Sequence, residues 1–185
     1  MSTFQAQSFS AVQGKKLIFD IETVGVDFES LDKISQDYFL QYAEDEEEEA
    51  ETKERLGFYP LTGKVAVIGT LDPDTNRGVI YLRTDDQQLT TNDLEAGIIV
   101  EIGNEKQILE KFWEAAKAHN YFISFNGRSF DAPFLMIRSA ILGVRPTKNL
   151  LSNRYLSLQK YDALHIDLLD QLTFYGAVRK KFNLH

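Results

Sequence analysis

The sequence predicts an α/β domain, a mixed β-sheet with helices packed on it. Three observations carry that prediction. A short apolar run, Leu17-Ile18-Phe19, opens a strand near the N-terminus. Two further strand-forming runs, 64–70 and 79–83, flank the turn Asp72-Pro73-Asp74-Thr75-Asn76-Arg77-Gly78 and make an antiparallel hairpin. From Asn104 onward, helical and strand patterns alternate, as in a sheet whose strands are joined by helices.

Taken in order, residues 1–14 are small and polar and form a loose arm ahead of a first strand over 15–22. In 28–58, Phe28, Leu31, Ile34, Tyr38, Phe39 and Tyr42 recur at spacings of three and four. That spacing predicts an amphipathic helix running into the acids 44–49, the whole forming an acidic helical insertion between two strands. Residues 84–97 read as a polar surface loop, and Ile98-Ile99-Val100 as a short strand. Asn104 suits the cap of a helix with Ile108, Leu109, Phe112, Ala115, Ala116 and His119 on one stripe, Trp113 packing beside it, and Glu105, Lys106, Glu110 and Lys117 off it. Next come a strand over 121–125, a helix over 133–142 with Pro133 in its first turn and Gly143 beyond its end, and a basic connector over 145–160. A last strand is expected over 164–169.

At 185 residues, 43% of them hydrophobic, the chain suits a single domain over 1–185 with a sizeable core. It contains no cysteine, which excludes disulfides, thiolate metal sites and a thiol nucleophile and leaves oxygen and imidazole as ligands. No secretion signal and no membrane-length apolar run occurs, so a cytoplasmic protein without a membrane partner is expected. The net charge of −8 is uneven. Residues 126–185 hold nine basic and four acidic residues, a net of +5, whereas 44–55 alone holds eight acids against Lys53 and Arg55. A basic C-terminal third is compatible with a nucleic-acid partner.

Two carboxylates follow the first apolar run, at Asp20 and Glu22. Side chains two apart on a strand share a face, so these two stand side by side and repel unless a cation sits between them. Hard divalent ions such as Mg²⁺ or Mn²⁺ take such oxygen ligands. An exposed strand end with two solvated acids is the competing explanation. A third acid, Asp131 in Ser129-Phe130-Asp131-Ala132-Pro133, taken alone fits a helix N-cap better than a ligand, and only together with the first strand does the balance reverse.

Leu17-Ile18-Phe19-Asp20-Ile21-Glu22-Thr23 and the segment from Phe122 through Asn126, Phe130 and Asp131 to Leu135 together resemble the first two motifs of the DEDD 3'→5' proofreading exonucleases. Within that group they look most like the exonuclease domain of family-B DNA polymerases and its free-standing prokaryotic relatives. The resemblance implies a ribonuclease H-like sheet, antiparallel over strands one to three and parallel thereafter, flanked by helices. It implies that Asp20, Glu22 and Asp131 are catalytic and hold two divalent ions, Mg²⁺ or Mn²⁺, and that the partner is the 3' end of single-stranded DNA or RNA. Thr23, Asn126, Arg128 and Phe130 are then placed against the nucleic acid, and the basic positions 138–160 along its backbone; for Phe130, core packing is an equal alternative. The resemblance also implies a third motif, a Tyr or His shortly before a fourth Asp on a late helix. No counterpart follows the Asp167 strand up to His185, so a fold without that C-terminal helix, and impaired catalysis with a single metal, are expected of this stretch. The rival expectation is a catalytically silent module that binds nucleic acid or protein on the same fold.

Overall fold

A computed structural model of the chain describes residues 14–84 and 97–178. The N-terminal arm, most of the predicted polar loop and the last seven residues lie outside that range. Among the described residues the strands are β1 (Lys16–Gly25), β2 (Gly63–Asp72), β3 (Arg77–Arg83), β4 (Ile98–Gly103), β5 (Tyr121–Ser124) and β6 (Leu164–Asp167). They form one mixed sheet in the order β4-β3-β2-β1-β5-β6. Strands β1, β2 and β3 are antiparallel neighbours, β5 and β6 continue parallel to β1, and β4 adds a parallel edge beside β3. This is the ribonuclease H-like arrangement expected from the sequence, with β4 as an extra edge strand.

The turn between β2 and β3 closes as predicted, with Asp72 accepting from the Asp74 amide at 2.8 Å and Asn76 taking φ 53°. Asn tolerates that left-handed conformation better than most residues. Strand β1 outlasts its predicted end and carries a bulge between Glu22 and Thr23. Its residues Leu17, Phe19 and Ile21 alternate into the core while Asp20 and Glu22 face outward. Past the bulge Gly25 lies against Gly57, where a Cβ on either would come within 3.0 Å of the other's backbone nitrogen. A side chain at either position would push the two backbones apart by a few tenths of an ångström.

Helix α3 (Glu105–Ala116) is closed by the predicted cap. The Asn104 carboxamide accepts from the Gln107 amide at 3.0 Å, and the Gln107 side-chain oxygen accepts in turn from the Asn104 amide at 2.9 Å, a reciprocal capping box. Ile108, Leu109, Phe112, Trp113 and Ala116 of this helix are buried in the core, the helix lying over β2, β3 and β4 and touching α4. Phe19 sits at the centre, its ring 5.9 Å from Phe112, 6.5 Å from Phe122 and 5.3 Å from His165. Trp113 packs as expected and donates its indole N–H to Ser139 Oγ at 2.8 Å. Helix α4 (Asp131–Ile141) adds Phe134 and Leu135 to the same core.

Two expectations need correction. The insertion is not one helix. A 3-10 turn over Phe28–Ser30 leads to α1 (Lys33–Leu40), the chain breaks at 41–45, and α2 (Glu46–Glu54) ends in a second 3-10 turn, Arg55–Phe58. Two aspartates start the two helices: Asp32 accepts from the Ser35 amide at 3.0 Å, and Asp45 from the Glu47 and Glu48 amides at 3.0 and 2.9 Å. The apolar spacing also does not produce a buried stripe, because α1 buries no residue. The second correction is Glu105. Assigned to the solvated side of α3, it is buried and bound to Arg138.

Candidate active site

The site lies where β5 stops. Parallel pairing of β5 with β1 ends at Ile18, so the next part of β1 lacks a strand on that side. The backbone amide of Ile21 donates instead to Asp131 Oδ1 at 2.9 Å, across 110 residues of sequence. Asp131 is the first residue of α4, and Phe130, in the capping position before it, makes no capping hydrogen bond. The helix-cap explanation of Asp131 therefore gives way to a tie between α4 and the exposed edge of β1.

That tie brings Asp131 against Asp20. The two acids lie close enough that the ionisation of each bears on the other. Burial, reinforced by the charge of Asp20, pushes the Asp131 acid up to about 7. Burial raises Asp20 as well, moderated by the hydrogen bond from Asp131. Such a pair is held against its own repulsion by the surrounding fold. Glu22 follows on the same outward face of β1. Among the described residues, however, no three His, Asp or Glu side chains converge as a ready cluster for a metal ion. The pair alone has the chemistry a hard divalent ion takes: carboxylate oxygens, partly desolvated, with no basic side chain among the described residues paired to either.

The loop carrying Asp131 is fixed from β6. The buried carboxylate of Asp167 accepts from the Asn126 and Arg128 amides, both at 2.9 Å, and from the Leu169 amide of α5 (Leu168–Leu172) at 3.0 Å. Asn126 takes φ 59° at this bend. Gly127 fits only as glycine, since a Cβ there would lie 2.2 Å from Ser124 Oγ. Behind the loop His165 is buried between Ser124 Oγ (2.7 Å from Nε2) and the Leu150 carbonyl (3.0 Å from Nδ1). Burial lowers its pKa to about 4, so the ring is neutral, with Nδ1 donating to the carbonyl and Nε2 accepting from the serine.

Of the residues predicted to meet nucleic acid, Thr23 is half-buried just past the bulge in β1, and Asn126 is exposed at the bend. Arg128 is half-buried and donates to the Leu150 carbonyl at 3.1 Å. Phe130 packs on Phe134 (5.6 Å) and Phe58 (6.2 Å) at the rim of the core. Arg138 does not follow a phosphate backbone: its guanidinium is buried on Glu105. Sequence reasoning gave Asp167 no role. An Asp at the end of a strand and before a helix is a capping signal that was available.

Replacing Asp167 with Asn leaves one carbonyl oxygen for amides that now use two, and turns the other position into a donor facing the Arg128 N–H. A loss of about 1–3 kcal/mol is expected, read from urea unfolding.

A family described as "predicted 3'-5' exonuclease related to the exonuclease domain of PolB" matches residues 78–185, more than half of the chain. The chain belongs to that family. In this member of the family the match takes in Asp131 and Asp167, and Asp20 and Glu22 precede it. The family B DNA polymerase from the hyperthermophilic archaeon Pyrobaculum calidifontis aligns at 14% identity and a TM-score of 0.47, over 86% of this chain and 16% of the polymerase chain. A search of curated proteins finds no match. Among the described residues no helix is long and apolar enough to cross a membrane.

Proposed function

We propose that this exonuclease-family chain hydrolyses phosphodiester bonds at the 3' end of single-stranded DNA or RNA, with Mg²⁺ or Mn²⁺ held by Asp20, Glu22 and Asp131. The supporting observation is the pairing of Asp20 and Asp131. Two carboxyls pressed together without a cation carry a repulsion that a divalent ion relieves. When bound, such ions supply an activated water and neutralise charge developing on the phosphate and the departing 3' oxygen.

The chain's own residues set the stage for that chemistry. Asp20 is rigid because β1 is paired on both sides up to Ile18 and with β2 beyond it. Asp131 is aimed by the Ile21 amide and by the loop that Asp167 holds. Glu22, exposed on the same strand face, has the freedom to orient a water. Thr23 and Asn126 border this edge and are the positions to contact the terminal nucleotide.

The test is digestion of a 5'-labelled single-stranded oligonucleotide in Mn²⁺ by the chain and by Asp20→Ala. A ladder shortening from the 3' end, lost in the variant, is expected. Equal ladders from both proteins, or no cleavage by either, would refute the assignment.

A further inference from the structure

A second feature of the molecule has no place in the nuclease reading. The insertion between β1 and β2 exposes a line of large apolar side chains. Ile34, Tyr38 and Tyr42 stand four residues apart on and just beyond α1 and are 83%, 65% and 83% exposed. A helix of eight residues has little intrinsic stability, and most protein helices are held by a buried face that α1 lacks. Tyr38 and Tyr42 border a groove of about 750 Å³ whose far wall is Tyr59, Leu61 and Ile137 of α4. Leu61 is 77% exposed.

The charge around this groove selects its occupant. Segment 44–55 carries a net of −6, and both of its basic residues are already engaged, Lys53 with Glu49 at 3.8 Å and Arg55 with Glu51 at 3.1 Å. Glu48, Glu51 and Arg55 lie on the groove wall itself, which stays net acidic. A polyanion is repelled from such a rim, so the tyrosines do not serve as a stacking platform for bases. A polypeptide bearing Lys or Arg together with apolar side chains gains on both counts: the tyrosines and Leu61 bury its apolar groups, and the acids attract and orient it.

We propose that this groove is the docking site for a basic, amphipathic segment of a protein partner. The surface is linked to the candidate active site. The Val26 amide at the end of β1 donates to the Thr62 carbonyl at 2.7 Å, and Phe58 meets Phe130, the neighbour of Asp131, at 6.2 Å. A partner docked there sits beside the exonuclease edge, and its binding does not depend on catalysis.

The experiment titrates the chain into three fluorescently labelled probes: a Lys/Leu amphipathic peptide of about a dozen residues, a Glu/Leu peptide of the same length, and oligothymidylate. Saturable one-to-one binding of the Lys/Leu peptide alone is expected. The double substitution Tyr38→Ser, Leu61→Ser leaves the charge unchanged and should weaken that binding at least tenfold. Both side chains are largely exposed, and an unaltered circular-dichroism melt verifies that the variant is folded. Each single substitution provides a second reading if the pair disturbs α1. Equal affinity of the variant would reduce the interaction to bulk charge attraction and overturn the proposal. So would failure of the Lys/Leu peptide to bind, or oligothymidylate binding that the substitutions abolish.

Discussion

Asp131→Asn is expected to abolish nuclease activity, by a factor of at least about 10³, and yet to stabilise the protein at pH 8 in EDTA. The two effects have one origin. Asn preserves the shape and still accepts from the Ile21 amide, but cannot supply an anionic ligand. In the parent protein, burial and then the charge of Asp20 lift the Asp131 acid to about 7, against 3.8 for an ordinary aspartate. The folded state thus keeps a proton that the unfolded chain releases near pH 4. The contribution of this acid is complete below that pH and disappears as pH rises through about 7, an amount on the order of 4 kcal/mol. At pH 8 without divalent ions the folded protein carries the full repulsion, and the Asn variant does not. The difference in unfolding free energy between variant and parent, measured in EDTA, should grow in the variant's favour from pH 5 to pH 8. Adding Mn²⁺ at pH 8 should stabilise the parent more than the variant. A difference independent of pH would mean that Asp131 is not held in a repulsive pair.

The parts of this site that local pattern dictates were readable in the sequence. Period-two alternation puts Leu17, Phe19 and Ile21 in the core and Asp20 and Glu22 outside, and the hairpin and the α3 capping box follow from short-range chemistry. Asp131 was less readable, because its local context taken alone favours a cap. Its actual bond partner is an amide 110 residues away, left free because β5 is short. The same holds for Asp167 and His165, whose partners lie on the loop after β5 and beside Leu150. The insertion misled for another reason. Its spacing of three and four is genuine, but Asp32 and Asp45 each start a separate helix, and periodicity says nothing about whether a face finds something to cover it. Glu105 misled because a first-turn acid next to an Asn cap usually faces water, and only the fold reveals the Arg opposite.

Breaking that Glu105 pair is expected to cost more than any other single polar substitution among the described residues. Arg138 Nε and Nη2 donate to Glu105 Oε1 and Oε2 at 2.8 and 2.7 Å, a bidentate geometry, with both side chains only 9% exposed. Glu105 Oε1 also accepts from the Val65 amide at 2.9 Å, and Arg138 Nη1 donates to the Pro60 carbonyl at 3.1 Å. One ion pair therefore fastens α3, α4, β2 and the segment ahead of β2. Arg138→Ala strands a buried carboxylate, and Glu105→Ala strands a buried guanidinium together with the Val65 amide; each should cost about 3–5 kcal/mol in chemical unfolding. Arg138→Lys should recover little, since an ammonium cannot fill both oxygens and the Pro60 carbonyl at once. The double variant Glu105→Ala, Arg138→Ala should lose less than the sum of the single changes, because the second removal leaves no unpaired charge behind. Because α4 begins at Asp131, loosening its attachment at Arg138 also frees the carboxyl facing Asp20. Nuclease activity should then fall in Arg138→Ala even at temperatures where the protein remains folded. Activity unchanged in a destabilised variant would show that the Ile21 amide and the Asp167 clamp hold Asp131 without help from the body of its helix.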